Sequence, residues 1–199
     1  QAKRYKHNTE FLSAKSKRSR QADLESHVQG LNEISAKLDT ASRDDADKYS
    51  SEFRQLKTNE VHLLNAAFFR AYHFENISDL QSQITMDTMA FLRLERDFGT
   101  FDDWQKDFIA CGMSSRSGYV VCGYNVMLKR YMNFVVDIES VNVPIGTFPV
   151  IVLDVSEGAY YRDYLNDRKT YIVAMMKELN WTQIEERFKK AEKIAKVTE

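Results

Sequence analysis

The chain changes its hydrophobic period near residue 115, and that change constrains the fold more than any other feature. Upstream, apolar residues recur every three or four positions, the spacing of one face of an α-helix. Leu24, Val28, Leu31, Ile34 and Leu38 form one such stripe, and Phe53, Leu56, Val61, Leu64, Phe68 and Tyr72 form another. The polar, Asp-rich stretch from Ser42 to Asp47 reads as the turn between them, so two long antiparallel helices joined by a short link are expected. The run 76–79 reads as the cap of a third helix, carried by Leu80, Ile84, Met89 and Leu92 to Phe98 and Gly99. Thr100, with Asp102 and Asp103 behind it, opens a fourth around Trp104, Phe108 and Ile109. Downstream, the runs 119–124, 131–138 and 148–155 are rich in Val, Ile and aromatics, as strands are. Helix returns from about Ala159 to the end. Helices, then three strands, then helices define an α+β domain packed against a helical hairpin. The expected division is a basic N-terminal extension at 1–20, the hairpin at 21–76 and a C-terminal α/β lobe at 77–199.

A chain of 199 residues with 43% hydrophobic letters can bury a real core, as one domain or two small lobes. No run reaches the roughly 18 apolar residues that would span a bilayer. Cys111 and Cys122 have neither metal-type spacing nor a disulfide framework, so reduced thiols are expected. The formal charge of -1 conceals an asymmetry. Residues 1–20 hold seven Lys and Arg against Glu10 alone, so the leader carries +6 and the remaining chain -7. A basic leader on a mildly acidic body suits an anionic partner for the leader only, and a solvated terminus fits the same charges. The chain opens on Gln rather than Met, as a processed product or a piece of a longer chain would.

Four stretches carry a resemblance. RDFGTFDDWQKDF (96–108), SGYVVCGYN (117–125), VLDVSEGAYYRDYLNDRKTYI (152–172) and NWTQIEERF (180–188) are similar, in order and spacing, to segments of the iron/manganese superoxide dismutases. Over the first half the likeness is weak. It implies a helical hairpin followed by an α/β lobe with a three-stranded antiparallel sheet, the architecture that the periodicity predicts independently.

The resemblance also implies a redox metal held by three His and one Asp plus a solvent ligand, with one position left open. Residue by residue, Asp154 stands at the ligand Asp, while Gly158 stands where the family has a ligand His and Asn65 stands at another. Ser19 or Arg20, depending on the alignment of the first helix, takes the third. Around the metal, Tyr119, Val121, Phe69 and Ser156 replace family aromatics, and Ser115 replaces a Gln. Groups at that distance orient the ligands and tune the metal, so their change matters as well. Arg168 keeps the family's Arg position and reads as a structural salt bridge. A carboxylate leaving a buried strand is costly unless bonded, so Asp154 is expected to be held by neighbours, with Asn65 the favoured donor and Arg116 or Arg20 adding charge.

The histidines are His7, His27, His62 and His73, and no pair has ligand-type helical spacing. His62 and Asn65 share a helix face and with Asp154 would form a rearranged site. Tyr160, Tyr161 and Tyr164 read as packing and interface aromatics, and the mixed charges of 185–196 as a solvated face. On this reading the chain is not an enzyme and holds no cofactor. It resembles the metal-less relatives of the family in the small subunit of mitochondrial ribosomes, which implies a mitochondrial structural subunit whose basic leader touches ribosomal RNA. An accessory subunit of a respiratory complex, or a dismutase with a rearranged site, are the alternatives. In the family the motif's Glu pairs across a two-fold dimer with the twin's ligand His. Glu157, kept here beside Gly158, therefore implies a Glu157, Tyr160 and Tyr161 surface that docks a different, dismutase-like chain.

Overall fold

The computed structural model describes residues 1–77, 82–139 and 141–197. Helix α1 (Ala14–Thr40) and helix α2 (Glu52–Asn76) form the hairpin. Ser13 and Ser51 start them, each hydroxyl accepting a backbone N–H three residues on. At the far end Arg43 donates to the carbonyls of Leu38 and Ala41 and lies over the Phe53 ring, so the end of α1 is closed by a cation from the turn. Leu38, Ala41 and Leu56 form a small apolar cluster there.

The lobe contains α3 (Met89–Phe98), α4 (Phe101–Ser114), strands β1 (Tyr119–Asn125), β2 (Arg130–Val136) and β3 (Thr147–Asp154), then α5 (Glu157–Tyr164), α6 (Arg168–Lys177) and α7 (Trp181–Val197). The sheet is antiparallel in the order β2-β1-β3, with Tyr119 opposite both Val136 and Asp154. All of β1 is buried, because alternate residues enter two cores. Val120, Cys122 and Tyr124 face the large core with Leu94, Trp104, Phe108, Ile172 and Phe188. Tyr119 and Val121 face a smaller one with Phe134, Val152 and Phe69 of α2. Gly118 is required at the mouth of β1, since a Cβ there would lie 1.8 Å from the Val136 carbonyl oxygen.

Three expectations change. The third helix begins at Met89: Thr88 accepts from Phe91 N, and Glu185 of α7 accepts from Met89 N and Ala90 N at 3.0 and 2.8 Å. The distant carboxylate supports that start beside the local Thr88 cap, and the expected cap residues 78 and 79, with residue 80 after them, lie outside the described residues. The final helix is three helices. Leu165, at φ 51°, ends α5; Asp167 caps α6 through Thr170 N; Asn180 accepts from Gln183 N in the first turn of α7. The basic stretch 1–20 is part strap and part helix, with α1 starting at Ala14. The strap lies on the body: Tyr5 OH donates to Glu75, Glu10 N to Glu178 and Ser13 N to Asp163. His7 packs edge-on against Phe74 at 4.4 Å.

Candidate functional site

Asp154, the last residue of β3, is wholly buried where the hairpin meets the lobe. Four elements converge on it. Its Oδ1 accepts from Ser156 N and Ser156 Oγ at 3.0 and 2.6 Å, the bonds of a carboxylate leading into α5. Its Oδ2 accepts from the Arg20 guanidinium of α1. The Arg70 guanidinium of α2 stands 3.5 Å from the same oxygen. The main chain is tied as well: Asp154 N donates to His73 Nδ1 at 3.3 Å, and Tyr171 OH donates to the Asp154 carbonyl at 2.7 Å.

Asp23, nearer the surface, lies 3.5 Å from Arg20 and 3.4 Å from Arg70, so two carboxylates balance two guanidinium groups. Burial, with Arg70 alongside, pushes Arg20 down to about 10, which leaves it charged at neutral pH. Burial also holds His73 well below the usual imidazole value, helped by Arg20 and Arg70. A neutral His73 is what the N–H from Asp154 requires, because Nδ1 must accept. Among the described residues, the Nε atoms of both arginines are buried with no hydrogen-bond partner.

The alignment leaves Ser19 and Arg20 open, and the structure puts Arg20 on Asp154. Asn65, the favoured donor, is not part of this cluster: its amide donates to the Glu139 carbonyl, and His62 approaches the Glu139 carboxylate at 3.7 Å. The proposed His62, Asn65 and Asp154 grouping is therefore not assembled. Arg116 is exposed, its backbone N–H donating to the Asp137 carboxylate, whereas Asp154 is wholly buried. Among the described residues Arg168 makes no salt bridge; it donates to the Ser115 and Arg116 carbonyls and to Tyr160 OH, over whose ring it lies. Tyr160 is buried and stacked on Tyr171, whereas Tyr161 and Glu157 are exposed, so only those two of the expected interface residues face outward. Asp23, Arg70, His73 and Tyr171 are the members of the cluster that sequence reasoning missed. Arg70 and His73 lie in the buried phase of α2 with Ala66 and Phe69, and charge in such a phase was the available signal.

An α+β fold with this hairpin, this sheet and an aspartate at the end of β3 defines the class to which comparison with known proteins points. Residues 87–187 match the iron/manganese superoxide dismutases, C-terminal domain. The chain is 31% identical over 176 residues to "Superoxide dismutase [Fe]" of Aquifex pyrophilus, covering 87% of this chain and 82% of the relative. It is 28% identical over 166 residues to "Superoxide dismutase [Mn]" of Nocardia asteroides, covering 83% and 78%. The chain belongs to the iron/manganese superoxide dismutase family. These relatives correct the expectation that it is not an enzyme: they are named as superoxide dismutases and align over more than four fifths of the chain, so the family is enzymatic and that expectation is unsupported.

The residues at Asp154 do not fit the three-His, one-Asp set that the family resemblance implies. Its Oδ2, the oxygen not bonded to Ser156, is taken by two guanidinium groups, which have no lone pair to give a metal. Among the described residues no three of His, Cys, Asp or Glu come together as a metal-holding group.

Proposed function

We propose that this superoxide dismutase-family chain serves as a structural subunit of a large mitochondrial assembly, in the first place the small subunit of the mitochondrial ribosome. The observation that carries the reading is the state of Asp154. The carboxylate at the centre of the fold is committed to ion pairs that join α1, α2 and β3, an arrangement that contributes cohesion. Two further features support it. The leader keeps Lys3, Arg4, Lys15 and Arg18 exposed on one end of an otherwise acidic chain, suited to ribosomal RNA. The outer side of α5 presents Glu157, Tyr161 and Leu165, suited to a second chain of the same fold that supplies a His, Arg or Lys opposite Glu157.

A second reading, an accessory subunit of a respiratory complex, is favoured by the sequence pI near 6.5, low for a chain embedded in RNA. Tagging the chain in mitochondria and sedimenting the lysate separates the two. Co-migration with small-subunit ribosomal RNA at moderate salt is the expected result. Recovery with detergent-extracted respiratory subunits would replace it with the second reading, and recovery as a free homodimer would overturn both.

A further inference from the structure

Gly158, the second residue of α5, lies next to the Arg20 and Asp154 pair, and its environment differs from that of an ordinary surface glycine. A Cβ at Gly158 would meet Arg20 Nη1 at 3.0 Å, a contact tight enough that the neighbour must give by a few tenths of an ångström. A flexible arginine tip would normally move aside. This one is held by Asp154 on its other nitrogen, is 5% exposed, and has Arg70 and Asp23 on either side. The φ of Gly158 lies outside the left-handed range, so the backbone alone does not require glycine there.

We propose that the Arg20 guanidinium is the resident cation of this site, standing where the family resemblance puts a metal, and that Gly158 is glycine because that guanidinium fills the space of its side chain. The two positions then form one unit: the cation comes from α1 and the room for it from α5. The carboxylate that receives it closes β3. Cohesion between the hairpin and the lobe depends on an organic cation that chelators cannot remove.

A double-mutant cycle tests this, with thermal unfolding and metal content as readouts. In the parent chain Gly158→Ala lowers Tm by roughly 5 °C through overpacking against a pinned group. In an Arg20→Gln background, with a shorter and uncharged tip, the same substitution is expected to shift Tm by less than half as much. Equal shifts in both backgrounds would overturn the coupling. Should Gly158→Ala fail to fold in the parent chain yet fold with Arg20→Gln, the coupling stands in its strongest form. Independently, the parent chain incubated with excess Mn2+ or Fe2+ and desalted is expected to retain substoichiometric metal and to keep its Tm in EDTA. One tightly held equivalent, with Tm lowered by EDTA, would overturn the assignment of Arg20 as the site's cation.

Discussion

The molecule is held together in two different ways on the two sides of its sheet. On the side of α3, α4, α6 and α7, cohesion is apolar: Leu94, Trp104, Phe108, Ile172 and Phe188 are fully buried, and rings stack as Tyr131 does on Phe188 at 4.5 Å. Toward the hairpin the apolar core is smaller, with Phe69 of α2 packed on Tyr119, Val121 and Val152, and beside it β3 ends in a buried carboxylate whose joint is ionic, built from Arg20, Arg70, Asp23 and Asp154. Apolar packing tolerates exchange of one hydrophobe for another of similar volume. An ion cluster tolerates little, since removing one member strands the others in a medium that cannot solvate them. The lobe can therefore drift in sequence while the joint must change as a set, and Gly158 beside Arg20 is such a paired change.

Substitutions at three positions and one titration would sharpen or break this contrast. The largest effect is expected at the joint: Asp154→Ala leaves Arg20 and Arg70 buried against each other and should cost about 3–5 kcal/mol in urea unfolding. A loss under about 1 kcal/mol would mean that water already reaches the guanidinium groups and that the joint is not dry. In the apolar half, Leu94→Ala should cost about 2–5 kcal/mol, and Leu94→Met under about 1.5 kcal/mol, a tolerance that no single replacement at Asp154 should match.

Next in size is Glu185, whose carboxylate accepts the first two N–H groups of α3 from a distant helix. Glu185→Ala should cost about 1 kcal/mol and raise amide exchange at Met89 and Ala90, as loss of a cap does. Unchanged exchange there would leave Thr88 as the sufficient cap.

The smallest effect is expected at His7 in the strap. Burial against Phe74, with Lys17 nearby, pushes its imidazole down to about 4, while a free imidazole titrates near 6.5. The folded state thus binds fewer protons, so this contribution is whole above about pH 6.5 and is lost as the pH falls toward 4. His73, also held low, adds a slope of the same sign. In His7→Gln the fall in urea midpoint between pH 7 and pH 5 should be shallower than in the parent chain. An identical slope would assign the pH dependence to His73 and the carboxylates.

The apolar half was largely legible from the sequence and the ionic joint only in part, for a physical reason. Packing against a sheet or a helix partner imposes a period, and periods show in one chain: the three strand runs agree with β1, β2 and β3 to within two residues at each end. An ion cluster imposes no period. It joins residues 20, 23, 70 and 154 across three elements, and only a family resemblance brought Arg20 and Asp154 together beforehand. Asn65 was expected at Asp154 from its place in the motif, but α2 turns it toward the 139 loop and brings Arg70 inward instead. The start of α3 was missed likewise, because the acceptor that favours it is Glu185, nearly a hundred residues away.

The measurement that tests the ionic joint most directly is anomalous diffraction from crystals grown with excess manganese and iron, collected at both absorption edges. The account predicts guanidinium density from Arg20 on Asp154 Oδ2 and no anomalous peak within bonding distance of that carboxylate. A peak coordinated by Asp154, with Arg20 turned away from it, would contradict the account.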